Sequence, residues 1–328
     1  MNNPTTLRNS GWLFSPKVDL LFMWGVIALS FIFLEFYRIE GSKSWELIHY
    51  YLIWVGIDVA HIFATFIPLR VRYIKQKLPK NFIPVVLALT ILGTISIYGI
   101  SYQFFITSLA IYAIYHIYAQ QHGLLMMTRR LFNETRFRLI DSVMLFVGFW
   151  FPVMYWLSDY SPFLARYYHD NDFFFKIPLK IVDFSHQIFL FSFAIYIINY
   201  LHVFISKQKI NWAKLSLLFA TITWMYSSIV WFKNSFMFWA CLMIIHGLGY
   251  ILISLKEEKI LLPKEKWFMN TYSKIGILVG MSVFWFYFFR LITNSFDKTH
   301  WIVGIAWIHL ISHYVFDSMI WRKRFSPY

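Results

Sequence analysis

The chain has 328 residues, of which 59% are hydrophobic and 22% aromatic, with only 14% charged and a mean hydropathy of +0.55. That balance excludes a soluble globular domain and puts the sequence with polytopic membrane proteins, with length for about ten spans. The formal charge of +14 would suggest nucleic acid in a soluble protein, but here the basic residues are segregated into the loops of one side, a topology signal that leaves no nucleic-acid partner expected.

The opening residues 1–17 have no apolar core followed by a small-residue cleavage site, so a retained first span is expected and not a removable leader. Apolar runs then predict membrane helices near 19–36, 48–69, 82–101, 102–127, 139–157, 182–205, 214–232, 236–255, 273–293 and 301–321. With the N-terminus in the cytoplasm, 22 of the 30 Lys and Arg residues fall inside, and the eight at 38, 43, 166, 176, 180, 233, 290 and 298 fall outside. The split predicts an all-α helix bundle with both termini cytoplasmic. No linker and no repeat divides it, so residues 1–328 are read as a single integral membrane domain. The one cysteine, Cys241, lies in an apolar run, which rules out an intrachain disulfide and a thiolate metal cluster.

The histidines are distributed unevenly. The second span holds Asp58 and His61, the fourth holds His116, Gln120 and His122, the eighth holds His246, and the tenth holds His309, His313 and Asp317. These four helices run in the same direction, so depth can be compared by counting to the basic end. His61 precedes Arg70 by 9 residues, His116 precedes Arg129 by 13, His246 precedes Lys256 by 10, and His309 and His313 precede Arg322 by 13 and 9. At 1.5 Å per residue the five imidazoles share a layer about 6 Å deep. One histidine alone reads as an interhelical hydrogen-bonder. Five in one layer are satisfied far better by a shared electron-deficient partner, a metal ion.

Spacing refines this expectation. His309 and His313, four residues apart, reach one ion from one helix face, and Asp317 lies a turn further on. Asp58 and Gln120 lie on the same faces as His61 and His116, placed either to ligate or to hold the second ring nitrogen of a ligating histidine. His122, near the end of its span, is balanced between site and helix interface. His186 and His202 read as interface residues.

Nitrogen and carboxylate donors without thiolate favour non-haem iron, one ion or a pair, with zinc, copper and manganese as alternatives. At membrane depth such a site suits dioxygen activation on a lipid-soluble substrate arriving from the bilayer. No Ser–His–Asp set and no His-Glu-x-x-His motif suggests hydrolysis. The four-residue pair His309/His313 together with His61 and His116 resembles the iron site of the membrane-embedded Brp/Blh β-carotene 15,15'-dioxygenases. The resemblance implies that these four histidines ligate iron in a bacterial inner (cytoplasmic) membrane oxygenase. The Pro-His-Gly segment of that family is missing here, and His246 is additional, which leaves a second iron open. Desaturase-type His-His boxes are absent from the sequence. Two other readings stay open: a haem b electron carrier, since paired transmembrane histidines also clamp haem, and a transporter relaying protons through the histidines with Asp58, Asp141 and Asp317.

Overall fold

Polar side chains set several helix starts. Ser15 Oγ accepts from Val18 N–H at 3.3 Å with Pro16 following it, so helix α1 (Pro16–Leu20) begins there. Asn211 caps helix α8 (Trp212–Tyr226), its Oδ1 accepting from Lys214 N–H at 3.1 Å. The computed structural model describes residues 10–32, 57, 59–74, 81–95, 100–158, 175–232, 241, 243–261, 271–295, 312–315 and 317. Among them all regular structure is helical and no strand occurs.

Between α1 and α8 lie α2 (Ala60–Ala64), α3 (Phe66–Ile74), α4 (Phe82–Ile95), α5 (Tyr102–Phe132), α6 (Arg138–Ser158) and α7 (Leu179–Ile205). After α8 come α9 (Gly249–Leu261) and α10 (Thr271–Ser295). Residues 312–315 are helical, and Leu21–Gly25, Ser227–Trp231 and Met243–Leu248 are π-helical stretches. Helical residues occur inside every one of the ten segments expected to span. Among the described residues, three helices are long and apolar enough to cross a membrane: Arg138–Ser158, Leu179–Ile205 and Trp212–Trp231. Shorter apolar helices cover Ile83–Gly93, Ile244–Lys256 and Ser273–Trp285.

The chain divides into two compact units, one of residues 1–36, 113–241 and 328, the other of residues 37–112 and 242–327. In the first, α6 packs on α7 through stacked Phe151 and Phe189, 5.8 Å between centroids, with His186 against Phe151 at 4.6 Å. α6 also meets α8 closely: a Cβ at Gly148 would come 2.7 Å from Ile222 Cγ1. Small residues let helix backbones approach where the surroundings are as apolar as the side chains. Trp24 Nε1 donates to Ser216 Oγ at 2.8 Å and fixes the N-terminal helical segment to α8.

Two basic residues expected at the cytoplasmic ends of spans behave otherwise. Arg129 lies in the last turn of α5, which runs to Phe132, and Arg129 and Lys214 are both buried. The side chains reach inward because Asp141 and Glu134 wait there, so their charges are neutralised inside the unit and not by water.

In the second unit the core joins Ala60, Phe63 and Ala64 of α2 to Tyr250 and Ile251 of α9 and Leu278 of α10. Ala60 and Ala64, one turn apart and fully buried, bring α2 against its neighbours. Glu258 of α9 ties α3 and α10 to its own helix, accepting from Arg70 at 3.1 Å and from Lys274 at 2.6 Å.

Candidate metal centre

Three helical segments of the second unit carry one histidine each to a common point. His61 comes from α2, His246 from the π-helical stretch before α9, and His313 from 312–315. His61 lies between the other two, its ring 4.6 Å from that of His246 and 4.7 Å from that of His313, both edge to face. The outer pair is 6.5 Å apart. All three are at most 3% exposed, and one ring nitrogen from each lies within 4.8 Å of the others.

Local sequence explains the convergence. Gly247 follows His246, and a Cβ there would lie 3.3 Å from His61 Nδ1 and 3.2 Å from Ile57 Cγ2. Without one, the Met243–Leu248 stretch settles onto the His61 helix. Its π geometry, common at functional sites, re-aims His246 relative to a regular helix. The 312–315 segment is placed by Tyr314, which packs edge to face on Tyr112 at 5.3 Å.

Each of the three histidines has a polar residue four positions on, and all three of those residues are buried: Thr65, Tyr250 and Asp317. Asp317 Oδ2 lies 3.7 Å from His313 Nε2. The Tyr250 ring is 5.3 Å from His313 and 6.2 Å from His61. Thr65 Oγ1 reaches across to the other helix, 2.6 Å from His313 Nδ1. Of these three, only Asp317 was singled out from the sequence. Thr65 and Tyr250 carry the same four-residue spacing after a histidine, and that spacing was the available signal.

The donor set suits a transition metal. Two ligands at about 2.1 Å from one ion stand about 3.0–4.2 Å apart, depending on the bond angle. Nitrogens within 4.8 Å of one another reach that separation by small rotations of the rings. Three imidazoles and a carboxylate, with no thiolate, belong with iron, zinc, copper or manganese.

His309 and Asp58 lie outside the described residues. His116, Gln120 and His122 belong to the part of α5 in the first unit, where His116 and Gln120 are buried. His122 Nε2 meets Ser142 Oγ at 3.0 Å and its ring stacks on Tyr118 at 6.1 Å, so it joins α5 to α6.

The first unit also holds a buried ionic network. Asp141 Oδ2 accepts from Lys214 Nζ at 2.9 Å and from Arg129 Nη1, and its Oδ1 accepts from Tyr196 at 3.1 Å and Tyr200 at 3.3 Å. Lys214 also donates to Glu134 at 2.7 Å and sits 5.0 Å above the Tyr200 ring. Asn211 Nδ2 closes the network on Glu134 Oε2 and Thr128 O, both at 3.2 Å. Arg129 further holds the turn after α5, donating to Glu134 O at 3.2 Å and to Arg136 O. That turn has positive φ at Asn133 (57°) and Phe137 (58°), the second an unusual conformation for a bulky residue, and the arginine holds the backbone between them.

No protein-family model, curated protein or solved structure matches this chain.

Proposed function

We propose that this is an integral-membrane metalloprotein in which His61, His246 and His313, with Asp317, hold a transition metal ion, iron first, and that it is an oxidoreductase of oxygenase type acting on a lipid-soluble substrate. The observation that carries the reading is the convergence of three buried imidazoles from three separate segments, ring nitrogens within 4.8 Å of one another. Hydrogen bonding between helices needs only pairs. Three edge-to-face rings with a carboxylate beside them have the composition of a ligand set.

Bound iron would supply one-electron and dioxygen chemistry. The chain's own contribution is to keep the site dry and to fix the rings. His61, His246 and His313 are the holding residues, and Asp317, its Oδ2 3.7 Å from His313 Nε2, stands beside them at ligand spacing. A haem clamped between two of these histidines is disfavoured, because the macrocycle must lie between its axial rings. His61 already fills the space between His246 and His313. A proton path through Asp141 is disfavoured as well, since both its oxygens are engaged by four donors.

The setting we propose is a ten-span bundle in a bacterial cytoplasmic membrane with both termini inside. Helix α7 supports a lipid contact: Phe184, Phe191, Ile198 and Ile205 recur every seven residues along it, and each is at least 65% exposed. A continuous apolar stripe of that length calls for an apolar surrounding. Metal analysis of the purified protein, with its absorption and EPR spectra, tests the function. Stoichiometric iron with no Soret band is expected. Failure to bind iron, manganese, zinc or copper when each is supplied would return the histidines to helix packing.

A further inference from the structure

The hydrogen bond between Thr65 and His313 decides which ring nitrogen faces the cluster. Thr65 sits at the break between α2 and α3, where its N–H donates to Ile62 O three residues back at 3.2 Å. Its backbone is nonetheless helical, φ −56° and ψ −28°. Thr65 Oγ1 and His313 Nδ1, both buried, share a hydrogen bond of 2.6 Å.

A neutral imidazole has one N–H. If Nδ1 carries it, Nε2 holds the lone pair. His313 Nε2 is 3.7 Å from Asp317 Oδ2, too far for a hydrogen bond. The same separation suits two ligands of one ion with bonds of about 2.1 Å. The two sides of the ring are therefore differently occupied, one bonded to a hydroxyl and the other set beside a carboxylate at ligand spacing.

We infer that Thr65 is a positioning residue that holds the His313 ring by Nδ1 and so presents Nε2 as the atom that binds the ion, an inference that rests on the proposed metal site. Hydrogen bonds to the outer nitrogen of a ligating histidine set its orientation and basicity, and removing one typically weakens metal binding. Thr65 gives His313 that support from a different helix, which also makes the placement of 312–315 depend on α2.

The test uses the full chain in detergent, with Co²⁺ and Zn²⁺ as probes. Thr65→Val keeps the shape without the hydroxyl and should bind both ions about 10–100-fold more weakly, with an altered Co²⁺ d–d spectrum. Thr65→Ser should restore affinity and spectrum. Equal affinity in Thr65→Val would overturn the inference, as would a Ser variant no better than Val. Titration of the unmutated protein with the same ions separates this inference from the reading it rests on. No binding of either ion sinks the proposed function, whereas binding that Thr65→Val leaves unchanged sinks the inference alone.

Discussion

At the scale of single residues, two buried groups predict opposite kinds of loss. A helix-to-helix hydrogen bond in a membrane protein contributes on average only about 0.6 kcal/mol, whereas a lost ligand opens the coordination sphere. His313→Ala is therefore expected to insert and remain monodisperse while carrying much less iron than the unmutated chain, as metal analysis of matched preparations would show. Asp317→Asn should lower affinity by about 10–100-fold if the carboxylate acts through His313, and by more if it touches the ion. Lys214 is the contrasting case. It is fully buried between Asp141 and Glu134, and Lys214→Met leaves the two carboxylates facing one guanidinium. Breaking a buried pair by removing one partner costs about 3–5 kcal/mol. Thermal denaturation in detergent should show that loss in Lys214→Met, and Glu134→Gln added to it should recover much of the stability by restoring charge balance. Iron content per folded molecule should be unchanged in both.

At the scale of elements, glycines set how closely helices approach. A Cβ at Gly148 falls 2.7 Å from Ile222 Cγ1, so Gly148→Ala forces α6 away from α8, an overpacking cost of about 1–3 kcal/mol. Ile222→Ala in the same chain should relieve it, and a double-mutant cycle by thermal denaturation would measure the coupling. Gly247→Ala acts on the other unit, pressing on Ile57 and on His61 Nδ1 at 3.2 and 3.3 Å. Its expected signature is weakened metal binding with little change in melting temperature, because the neighbour that must yield is a proposed ligand. Helix existence was legible from apolar run length: α6, α7 and α8 with its π-helical continuation lie within three residues of the expected spans 139–157, 182–205 and 214–232. The length of α5 was not. Two arginines after residue 127 read as a loop, yet the helix runs to Phe132 because Arg129 has a buried carboxylate to reach.

For the whole molecule, the distribution of basic residues predicts sidedness. With Cys241 replaced by serine, single cysteines in the 70–80 and 206–210 segments should react with impermeant reagents only from the cytoplasmic face. Cysteines near 38–43 should react only from outside. Labelling of the 70–80 segment from outside would overturn the ten-span arrangement.

What the sequence determined by itself is the helical class, the apolar segments and the level at which His61, His246 and His313 meet. All three follow from one-dimensional quantities: run length, charge count and 1.5 Å of rise per residue. Counting 9 or 10 residues from the basic end singled out His61, His246 and His313 as one level, and these three do meet. Tertiary structure alone decided what surrounds them. Whether Thr65 faces His313, whether Gly247 lets the π-helical stretch close on His61, and whether Asp141 and Lys214 share a buried network depend on the rotation of each helix about its axis and on its neighbours. That rotation is set by packing of small residues such as Ala60, Ala64 and Gly148 against partners far away in the chain. In an apolar surrounding, shape and hydrogen bonding govern such packing, and neither leaves a periodic mark that a count along the sequence could find.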